Sequence, residues 1–379
     1  MAEKLLPSVG WGAFFLVGCA TAWCLDLRKR RGAVSERSTA YWQFIRDSKK
    51  SIPIWISSFL EGKHQFSPML KCYFPTDVII IWNYLDRLVI YLLFVILRKT
   101  FKHIIPETCT SIKGPSVIKE VTKDIKDALK TGEYCYFLRI DIKSYYASID
   151  RKILMEQLKE NFSHPLTLAY LYSIVNNVVD DGGRVYDPER GIPLRCTFSP
   201  FFGSLYLKPL DLAFGSMDVF YRRYVDDIIV LLRSKHQFSK AKKRLYEVLR
   251  SLKLELSPQK TKMGKLSRYH FLGVAFTFEV SQNLQIETHV TAEMHPRSCS
   301  RALNKVIAMR ESAVSAADIQ RYLVRWASWW KSVSDWTLLS LYVKWTLFAT
   351  LHARDVAWLG RGLVAFEVLQ YDAPALRQK

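Results

Sequence analysis

Two adjacent carboxylates, Asp226 and Asp227, lie between apolar residues that favour β-strands. Tyr224 and Val225 precede them and the run 228–232 follows, which predicts a β-hairpin with buried arms and with the acids in its tight turn. Two adjacent carboxylates at such a turn repel each other and resist dehydration, so we expect a cation beside them. A divalent metal fits best, because paired magnesium ions serve in-line phosphoryl transfer. The alternative is a solvated Asp-Asp turn without chemistry, since aspartate favours turns.

A third carboxylate, Asp141, lies near the end of the run 134–142, which predicts a short buried strand. A carboxylate at the end of a core strand can face an acidic hairpin on the neighbouring strand, and we expect these three acids to form a cluster. The stretch 78–97 is predicted to be a strand followed by a core helix, 191–200 a loop that contains glycine and proline, and 201–212 an apolar helix. The stretch 238–252 is predicted to be an amphipathic helix, 257–262 a basic turn and 271–278 a strand.

Five of these stretches resemble, in order and spacing, the motifs of the reverse transcriptase family, specifically the bacterial enzymes related to those of group II introns and retrons. A single Tyr-x-Asp-Asp is a weak signal, whereas five ordered motifs over about the middle third of the chain are specific. The matching stretches are Asp141-Ile-Lys-Ser-Tyr-Tyr-Ala-Ser-Ile-Asp150, Gly191-Ile-Pro with Ser199-Pro200, Tyr224-Val-Asp-Asp227, Pro258-Gln-Lys-Thr261 and Phe271-Leu-Gly273.

The resemblance implies an α+β right-hand polymerase fold with fingers, a palm whose antiparallel sheet carries the catalytic acids, and a helical thumb. It implies that Asp141 and Asp226 bind two Mg²⁺ ions, for which Mn²⁺ can substitute. Asp227 would be the third carboxylate and the Ile142 carbonyl a backbone ligand. The implied reaction is attack of a primer 3′-hydroxyl on the α-phosphate of an incoming nucleotide.

Two residues are implied to contact the nucleotide. Tyr146 lies five residues after Asp141, where the family keeps a ring that stacks under the sugar and rejects a 2′-hydroxyl. Lys260 corresponds to a mobile lysine near the leaving group. Each has a structural alternative, because Tyr146 can be a half-buried core aromatic and Lys260 a solvated turn lysine.

Other motif residues are implied to contact the template and the primer. Gly191, Ser199 and Pro200 would shape the loop behind the templating base. The hairpin that holds the primer would comprise Phe271, Leu272 and Gly273.

The chain departs from the family pattern at two places. Arg195 stands in a stretch that many relatives fill with small residues, so it either binds a phosphate or restricts which template enters. The stretch 78–82 lacks the basic pair that many relatives use to hold the triphosphate. Arg87, Lys113 and Lys119 are the nearest candidates, and each can equally be a surface charge.

Composition agrees with a nucleic-acid partner. The 379 residues carry a formal net charge of +20, which suits a phosphate backbone, although a membrane-surface protein can also be this basic. The seven cysteines form no Cys-x-x-Cys pair, so we expect neither a zinc site nor a disulfide framework, but reduced thiols in the cytoplasm.

The N-terminal stretch 5–25 contains no charged side chain before Asp26 and precedes the basic cluster 28–31. Its length would allow a membrane anchor, but glycine, proline and threonine dilute its hydrophobicity. We therefore expect it to pack against the polymerase or its RNA. The expected domains are a helical extension (1–60), fingers and palm (61–285) and a helical thumb (286–379), with one apolar helix face formed by Ile319, Tyr322, Leu323, Trp326 and Trp330.

These expectations favour a stand-alone RNA-directed DNA polymerase in a bacterial anti-phage defence or retron-like system. Its partners would be an RNA template, which a dedicated non-coding RNA could supply, together with dNTPs and the DNA product. A homo- or hetero-oligomer stays open. The alternatives are an RNA-dependent RNA polymerase or a template-independent nucleotide polymerase on the same palm, and a non-catalytic, membrane-anchored RNA-binding protein.

Overall fold

The structure is a computed structural model that describes residues 16–21, 46–74, 77–111, 117–193, 196–266, 268–280 and 288–333. The chain divides into two compact units. The first comprises Met1–Ile112, Ile140–Ile228 and Ser239–Thr261, and the second comprises Lys113–Arg139, Ile229–Phe238 and Lys262–Lys379. The expected domain boundaries after residues 60 and 285 stay predictions.

Described strands and helices follow one another in mixed order along the chain. The strands are β1 (Met69–Phe74), β2 (Asp77–Ile81), β3 (Tyr136–Ile140), β4 (Val179–Asp181), β5 (Arg184–Tyr186), β6 (Phe220–Tyr224), β7 (Asp227–Leu232), β8 (Lys262–Lys265), β9 (Tyr269–Phe271), β10 (Val274–Val280) and β11 (Thr288–Met294). The helices are α1 (Ser48–Leu60), α2 (Tyr84–Ile104), α3 (Val117–Lys130), α4 (Tyr145–Ser148), α5 (Arg151–Asn161), α6 (Pro165–Val175), α7 (Ser199–Tyr206), α8 (Lys208–Gly215), α9 (Lys235–Ser251), α10 (Pro296–Glu311) and α11 (Ala316–Val333).

A four-stranded sheet in the first unit has the order β2-β1-β4-β5. Strands β1 and β2 are antiparallel, β1 and β4 are parallel, and β4 and β5 form an antiparallel hairpin. Helix α2 begins at the cap residue Asn83, whose side chain accepts a hydrogen bond from the Leu85 N–H at 3.1 Å. The predicted strand followed by a core helix at 78–97 is confirmed by β2 and α2.

The strands around the acidic segments form a sheet of order β6-β7-β3-β8. Residues 228–232 of β7 are all buried, as a continuous apolar run predicts for a strand covered on both faces. Strand β3 pairs with β8 in antiparallel register, from Tyr136 opposite Lys265 to Arg139 opposite Lys262. The short buried strand before Asp141 and the acidic hairpin are therefore confirmed.

The second unit contains the antiparallel sheet β11-β10-β9 and the helices α10 and α11. Val306 of α10 packs with Ile319 and Leu323 of α11 in one apolar cluster, which Tyr322 borders. Trp330 of α11 is also buried and Trp326 is half-buried. The predicted apolar helix near the C-terminus is thus confirmed.

Two predicted elements are corrected. The apolar run 201–212 is not one helix, because α7 ends at Tyr206 and α8 starts again at Lys208, followed by Pro209. The run 271–278 is not one strand, because Leu272 and Gly273 both have positive φ and turn the chain between β9 and β10.

No described helix has both the length and the apolar composition needed to cross a bilayer. Of the stretch 5–25, only residues 16–21 are described, and they are helical. The expectations for the rest of that stretch and for the basic cluster 28–31 lie outside the described residues.

Candidate active site

Asp141 follows strand β3 directly and is held through its backbone. Its N–H donates to Thr261 Oγ1 at 3.3 Å, and its carbonyl accepts from the Ser257 N–H at 2.8 Å and from Thr261 Oγ1 at 3.2 Å. The basic turn predicted at 257–262 thus holds the backbone of Asp141 in position. The Asp141 residue is 8% exposed.

The neighbouring residue, Ile142, leaves its carbonyl outside this pairing. Ile142 lies opposite Leu256 in an antiparallel bridge whose hydrogen bonds are made by the flanking residues, from Lys143 N–H to the Glu255 carbonyl and from Ser257 N–H to the Asp141 carbonyl. In such a non-hydrogen-bonded pair the polar groups of the central residue point away from the partner strand. This geometry agrees with the expectation that the Ile142 carbonyl is a ligand, which stays a prediction.

Asp226 lies in the two-residue turn between β6 and β7, and Val225 before it has a φ of 55°. A β-branched residue in this left-handed region is an outlier that the surrounding structure must hold in place. Arg223 does so, because its Nη1 donates to the Val225 carbonyl at 2.9 Å.

The side chain of Arg223 is fully buried and is neutralised by Asp211 of α8. Its Nε donates to Asp211 Oδ1 at 2.7 Å, its Nη2 donates to Asp211 Oδ2, and Nη2 also reaches the Ser204 carbonyl at 3.0 Å. The Tyr221 hydroxyl donates to the same carboxylate at 2.7 Å. The acidic turn therefore stands on a buried, bidentate ion pair.

Asp141 and Asp226 are electrostatically coupled. Burial raises the pKa of Asp226, and the Asp141 carboxylate raises it further, while Lys260 and Arg223 oppose the shift. The Lys260 ammonium lies 3.4 Å from the Asp141 carboxylate, and its side chain is 66% exposed. The structure thus brings together Asp141, Asp226 and Lys260, as the motifs predicted.

The third acid has a different setting. Asp227 is the first residue of β7 and is half-buried, whereas Asp226 belongs to the turn. Within the described part of the chain, no three His, Cys, Asp or Glu side chains converge as a metal site. Of the three acids expected to cluster, Asp141 and Asp226 are electrostatically coupled. The ligand role of Asp227 stays a prediction.

The donor set nevertheless fits magnesium. Mg²⁺ retains several waters and is commonly held by one or two carboxylates together with substrate phosphates rather than by a complete protein cage. Asp141 and Asp226 supply two hard anionic oxygen donors whose mutual repulsion a cation relieves. Two carboxylates therefore suit an ion whose coordination a nucleotide completes.

Tyr146 belongs to the same site. Its side chain is half-buried on α4, and burial followed by the nearby Asp226 carboxylate raises the pKa of Tyr146 to about 12. The adjacent Tyr145 is buried and donates its hydroxyl proton to the Gly203 carbonyl. A Cβ at Gly203 would lie 3.1 Å from both rings, so glycine gives them room.

The loop at Gly191 is locked against α4. Gly191 has a φ of 87°, and its N–H donates to the Ile149 carbonyl at 2.8 Å. A Cβ there would lie 3.1 Å from the Ala147 backbone, which explains why glycine is needed. The Ile192 N–H donates to the Tyr146 carbonyl at 3.0 Å, so the loop is tied directly to the tyrosine.

A cavity of about 250 Å³ opens between this loop, the end of α4 and the β2-β1-β4-β5 sheet. Arg151 lines it, donating from Nε to the Gly191 carbonyl and from Nη1 to Asp187, both at 2.8 Å. Its walls are mainly apolar residues such as Val78, Ile80 and Pro193. Gly191 thus borders a cavity, and its implied role in the loop behind the templating base stays a prediction.

The remaining predicted residues fall into three groups. Ser199 is buried and donates to the Pro193 carbonyl at 2.6 Å, so it shapes the loop, and Pro200 follows it in the first turn of α7. Arg195 and Lys113 lie outside the described residues. Arg87 is half-buried in the first turn of α2 and Lys119 is exposed on α3, so their roles stay predictions.

In the second unit, the hairpin predicted to hold the primer is well formed. Phe271 is buried, and Leu272 and Gly273 make a two-residue turn with φ values of 51° and 82°. The His295 N–H donates to the Gly273 carbonyl at 2.8 Å, which ties this turn to the start of α10.

Sequence reasoning missed the support of the acidic turn. Arg223 was not singled out from the sequence, because charged side chains are seldom buried. Asp211, an acid inside the apolar run 201–212, was the available signal, because a buried acid requires a buried cation or donor.

The sequence model of one family, described as reverse transcriptase (RNA-dependent DNA polymerase), matches residues 78–276, just over half of the chain. No curated protein matches the sequence significantly.

Among solved structures, the chain is similar to telomerase from Candida albicans in complex with a TWJ fragment of telomeric RNA. The identity is 16%, the TM-score 0.45, and the match covers 62% of this chain and 48% of that one. Apo telomerase from Candida tropicalis, truncated from its C-terminal domain, is 13% identical with a TM-score of 0.45, and the match covers 62% of this chain and 58% of that one. The chain thus spans about half the length of these structures.

Proposed function

The chain belongs to the reverse transcriptase (RNA-dependent DNA polymerase) family, and from this membership we propose that it is an RNA-directed DNA polymerase that extends a primer with deoxynucleotides. Family membership and the antiparallel sheets agree with the predicted α+β, right-hand polymerase fold class. The observation that carries the proposal is the coupling of Asp141 and Asp226, which follow different strands and meet beside Tyr146 and Lys260.

We propose that Asp141 and Asp226 hold two Mg²⁺ ions, with Asp227 and the Ile142 carbonyl as further ligands. Bound divalent ions would stabilise the charge that develops as a 3′-hydroxyl attacks the α-phosphate. The residues themselves contribute fixed position, because the 257–261 turn anchors Asp141 and the Arg223–Asp211 pair anchors the Asp226 turn. Ligands that are already held in position need little reorganisation during the reaction.

Two side chains beside the acids would contact the nucleotide. Lys260 is exposed and already attracted to this carboxylate site, so its ammonium is free to approach the anionic leaving group. The Tyr146 ring, whose backbone carbonyl is held by the Ile192 N–H, would exclude a 2′-hydroxyl by its bulk. This steric selection favours deoxynucleotides and is the feature that separates DNA synthesis from RNA synthesis on the same palm.

The biological setting rests on the motif resemblance alone. We propose a bacterial retron-like or anti-phage defence system in the cytoplasm, with a dedicated non-coding RNA as template. Sequencing the nucleic acid that co-purifies with the protein tests this setting. A single recurrent RNA joined to its complementary DNA is the expected result, and bulk cellular RNA without any cDNA would contradict it.

The test of the chemistry is nucleotide incorporation on a primed RNA template by Asp141→Asn and Asp226→Asn. Each change removes one anionic ligand, so we expect loss of incorporation with both Mg²⁺ and Mn²⁺ while RNA binding persists. Asp127→Asn, at an exposed acid on α3, is the matched control and should be fully active. Retention of more than about a tenth of the rate, a loss of only ~1.4 kcal/mol, would contradict the metal assignment.

The same assay with ribonucleotides tests the sugar selection. Tyr146→Ala should let ribonucleotides compete, because it opens space beside the 2′ position, whereas Tyr172→Ala, at an exposed ring on α6, should not. An unchanged ratio of deoxynucleotide to ribonucleotide use would make Tyr146 a core aromatic. Preference for ribonucleotides in the unmodified protein would favour an RNA polymerase instead.

A further inference from the structure

Two histidines in the second unit contact each other. His270 of β9 and His295, the cap residue of α10, have ring centroids 4.5 Å apart, and both are half-buried. His295 Nδ1 accepts a hydrogen bond from the Arg297 N–H at 3.1 Å. The proton of a neutral His295 ring must therefore be on Nε2, which makes this ring a hydrogen-bond donor away from its own helix.

Cations surround this histidine pair on several elements of the same unit. They come from β3, β8, the segment before β9 and the first two turns of α10: Arg139, Lys262, Arg268, Arg297 and Arg301. Arg139 Nε is buried and has no hydrogen-bond partner among the described residues. A buried donor without a partner is unfavourable by about 1–3 kcal/mol, so the described residues leave the positive charge of this guanidinium without a compensating acceptor.

One acid lies on the same side of the sheet. Ala275 of β10 is paired with His270 on one side and with Glu293 of β11 on the other, so these three side chains share one face. Glu293 is half-buried and is not among the groups that shift either histidine. The charge that faces the pair is therefore strongly positive.

Burial and these cations keep both rings neutral at pH 7. They lower the pKa of His270 to about 4, with burial the largest cause and Arg139 the next. The pKa of His295 is lowered as well, by burial first and by Arg297 next. Two neutral rings and an unpartnered guanidinium nitrogen amid like charges form a site that an anion would stabilise.

We propose that His270, His295 and Arg139 bind a backbone phosphate of the primer–template duplex, and that the histidine pair takes up a proton when the duplex binds. This proposal rests on the proposed function for the identity of its occupant. The His295 N–H bond to the Gly273 carbonyl places the site at the turn that is expected to hold the primer. Two adjacent half-buried rings suit one phosphodiester rather than a flat lipid surface.

The proposal predicts a sign for the pH dependence. A phosphate beside the rings raises their pKa relative to the free protein, so the bound state holds more protons as the pH falls. Duplex affinity therefore increases as the pH falls through the bound-state pKa, and it becomes independent of pH well above that value.

The experiment measures affinity for a fluorescent RNA–DNA primer–template at about pH 6 and about pH 8, in EDTA and without nucleotide. Unmodified protein should bind several-fold more tightly at the lower pH. The double change His270→Gln with His295→Asn, which keeps a side-chain cap for α10, should remove this difference. His236→Gln, at an exposed histidine on α9, is the control and should leave it unchanged.

A second arm varies salt concentration. Arg301 is one of the cations beside the histidine pair, so Arg301→Ser should lower the slope of log affinity against log salt by up to about 1, because one positive charge next to the bound phosphate is lost. Arg310→Ser removes the same charge from the same helix, nine residues and thus half a rotation away, and should not change the slope. Both arginines are exposed, so both variants should fold. Circular dichroism checks this.

Three outcomes would overturn the proposal. The first is a pH effect that is equal in the unmodified protein and the histidine double variant. The second is the same loss of slope in both arginine variants. The third is a shift of the histidine NMR resonances with inorganic phosphate but none with duplex. Because binding is read without catalysis, pH-linked binding with no incorporation would support this site and reject the polymerase, and the reverse result would do the opposite.

Discussion

Two hairpin turns of the same length carry opposite charge environments. The Val225–Asp226 turn joins β6 to β7 and presents a carboxylate that is coupled to Asp141. The Leu272–Gly273 turn joins β9 to β10 and lies beside a histidine pair surrounded by cations. Each turn puts a residue other than glycine into the left-handed region, so the same backbone conformation occurs at the proposed cation site and at the proposed anion site.

The two turns differ in what holds the strained backbone. Leu272 and Gly273 both have positive φ, the pattern of a hairpin turn whose twist matches its strands, and glycine occupies one of the two positions. The acidic turn has valine instead, at a conformational cost of about 1–2 kcal/mol, and relies on the buried Arg223 to hold the Val225 carbonyl. This departure from local preference agrees with the proposal that the acidic turn takes part in the chemistry.

The largest effect should come from breaking the support of the acidic turn. Arg223→Met leaves the Asp211 carboxylate buried without its cation, which should lower the free energy of unfolding by about 3–5 kcal/mol. Arg233→Met breaks an exposed ion pair with Glu133, whose atoms are 2.8 Å apart, and should cost less than about 1 kcal/mol. Urea unfolding of both variants measures the contrast.

Adding Asp211→Leu to Arg223→Met separates stability from positioning. Removal of both charges should recover much of the unfolding free energy, because no uncompensated charge stays buried. Incorporation should stay low, since nothing then holds the Val225 carbonyl. If the double variant regained full incorporation, the pair would be a packing feature and the comparison between the two turns would fail.

An intermediate effect is expected at the other turn. Gly273→Ala places a Cβ 3.2 Å from Ser298 Oγ at a φ of 82°, and this should lower the free energy of unfolding by about 1–2 kcal/mol. Gly264→Ala, in β8 with no atom within 4 Å of the new Cβ, is the matched control and should be neutral or stabilising. Thermal or urea unfolding gives both values. Equal effects would show that the Leu272–Gly273 turn has no special backbone requirement.

The sequence was sufficient for the parts of the fold and site that depend on local pattern. The apolar run of β7, the strand before Asp141 and the ordered motifs predicted which residues meet, because period and motif order are local properties. The burial of Arg223 was not predictable from its own strand pattern, since it depends on Asp211 of another element. The break at Leu207 and the turn inside 271–278 were also missed, because an apolar run does not reveal where the backbone turns.

The smallest effect is expected at the acidic turn itself and concerns the stability cost of the Asp226 carboxylate. Burial and the Asp141 carboxylate raise the pKa of Asp226 in the folded protein. Such a group contributes stability that is fully present below the unfolded-state pKa and is lost as the pH rises through the folded-state pKa. Asp226→Asn carries no charge at any pH, so without divalent ions it should unfold less readily than the unmodified protein at pH 7. This gain should disappear when the pH falls below the ordinary aspartate value of about 3.9.

Urea unfolding in EDTA at both pH values measures it, with the exposed Asp127→Asn as the control. A variant that is less stable at pH 7 would mean that the carboxylate makes net favourable contacts in the fold, and the acidic turn would then not be a site where stability is given up for cation binding.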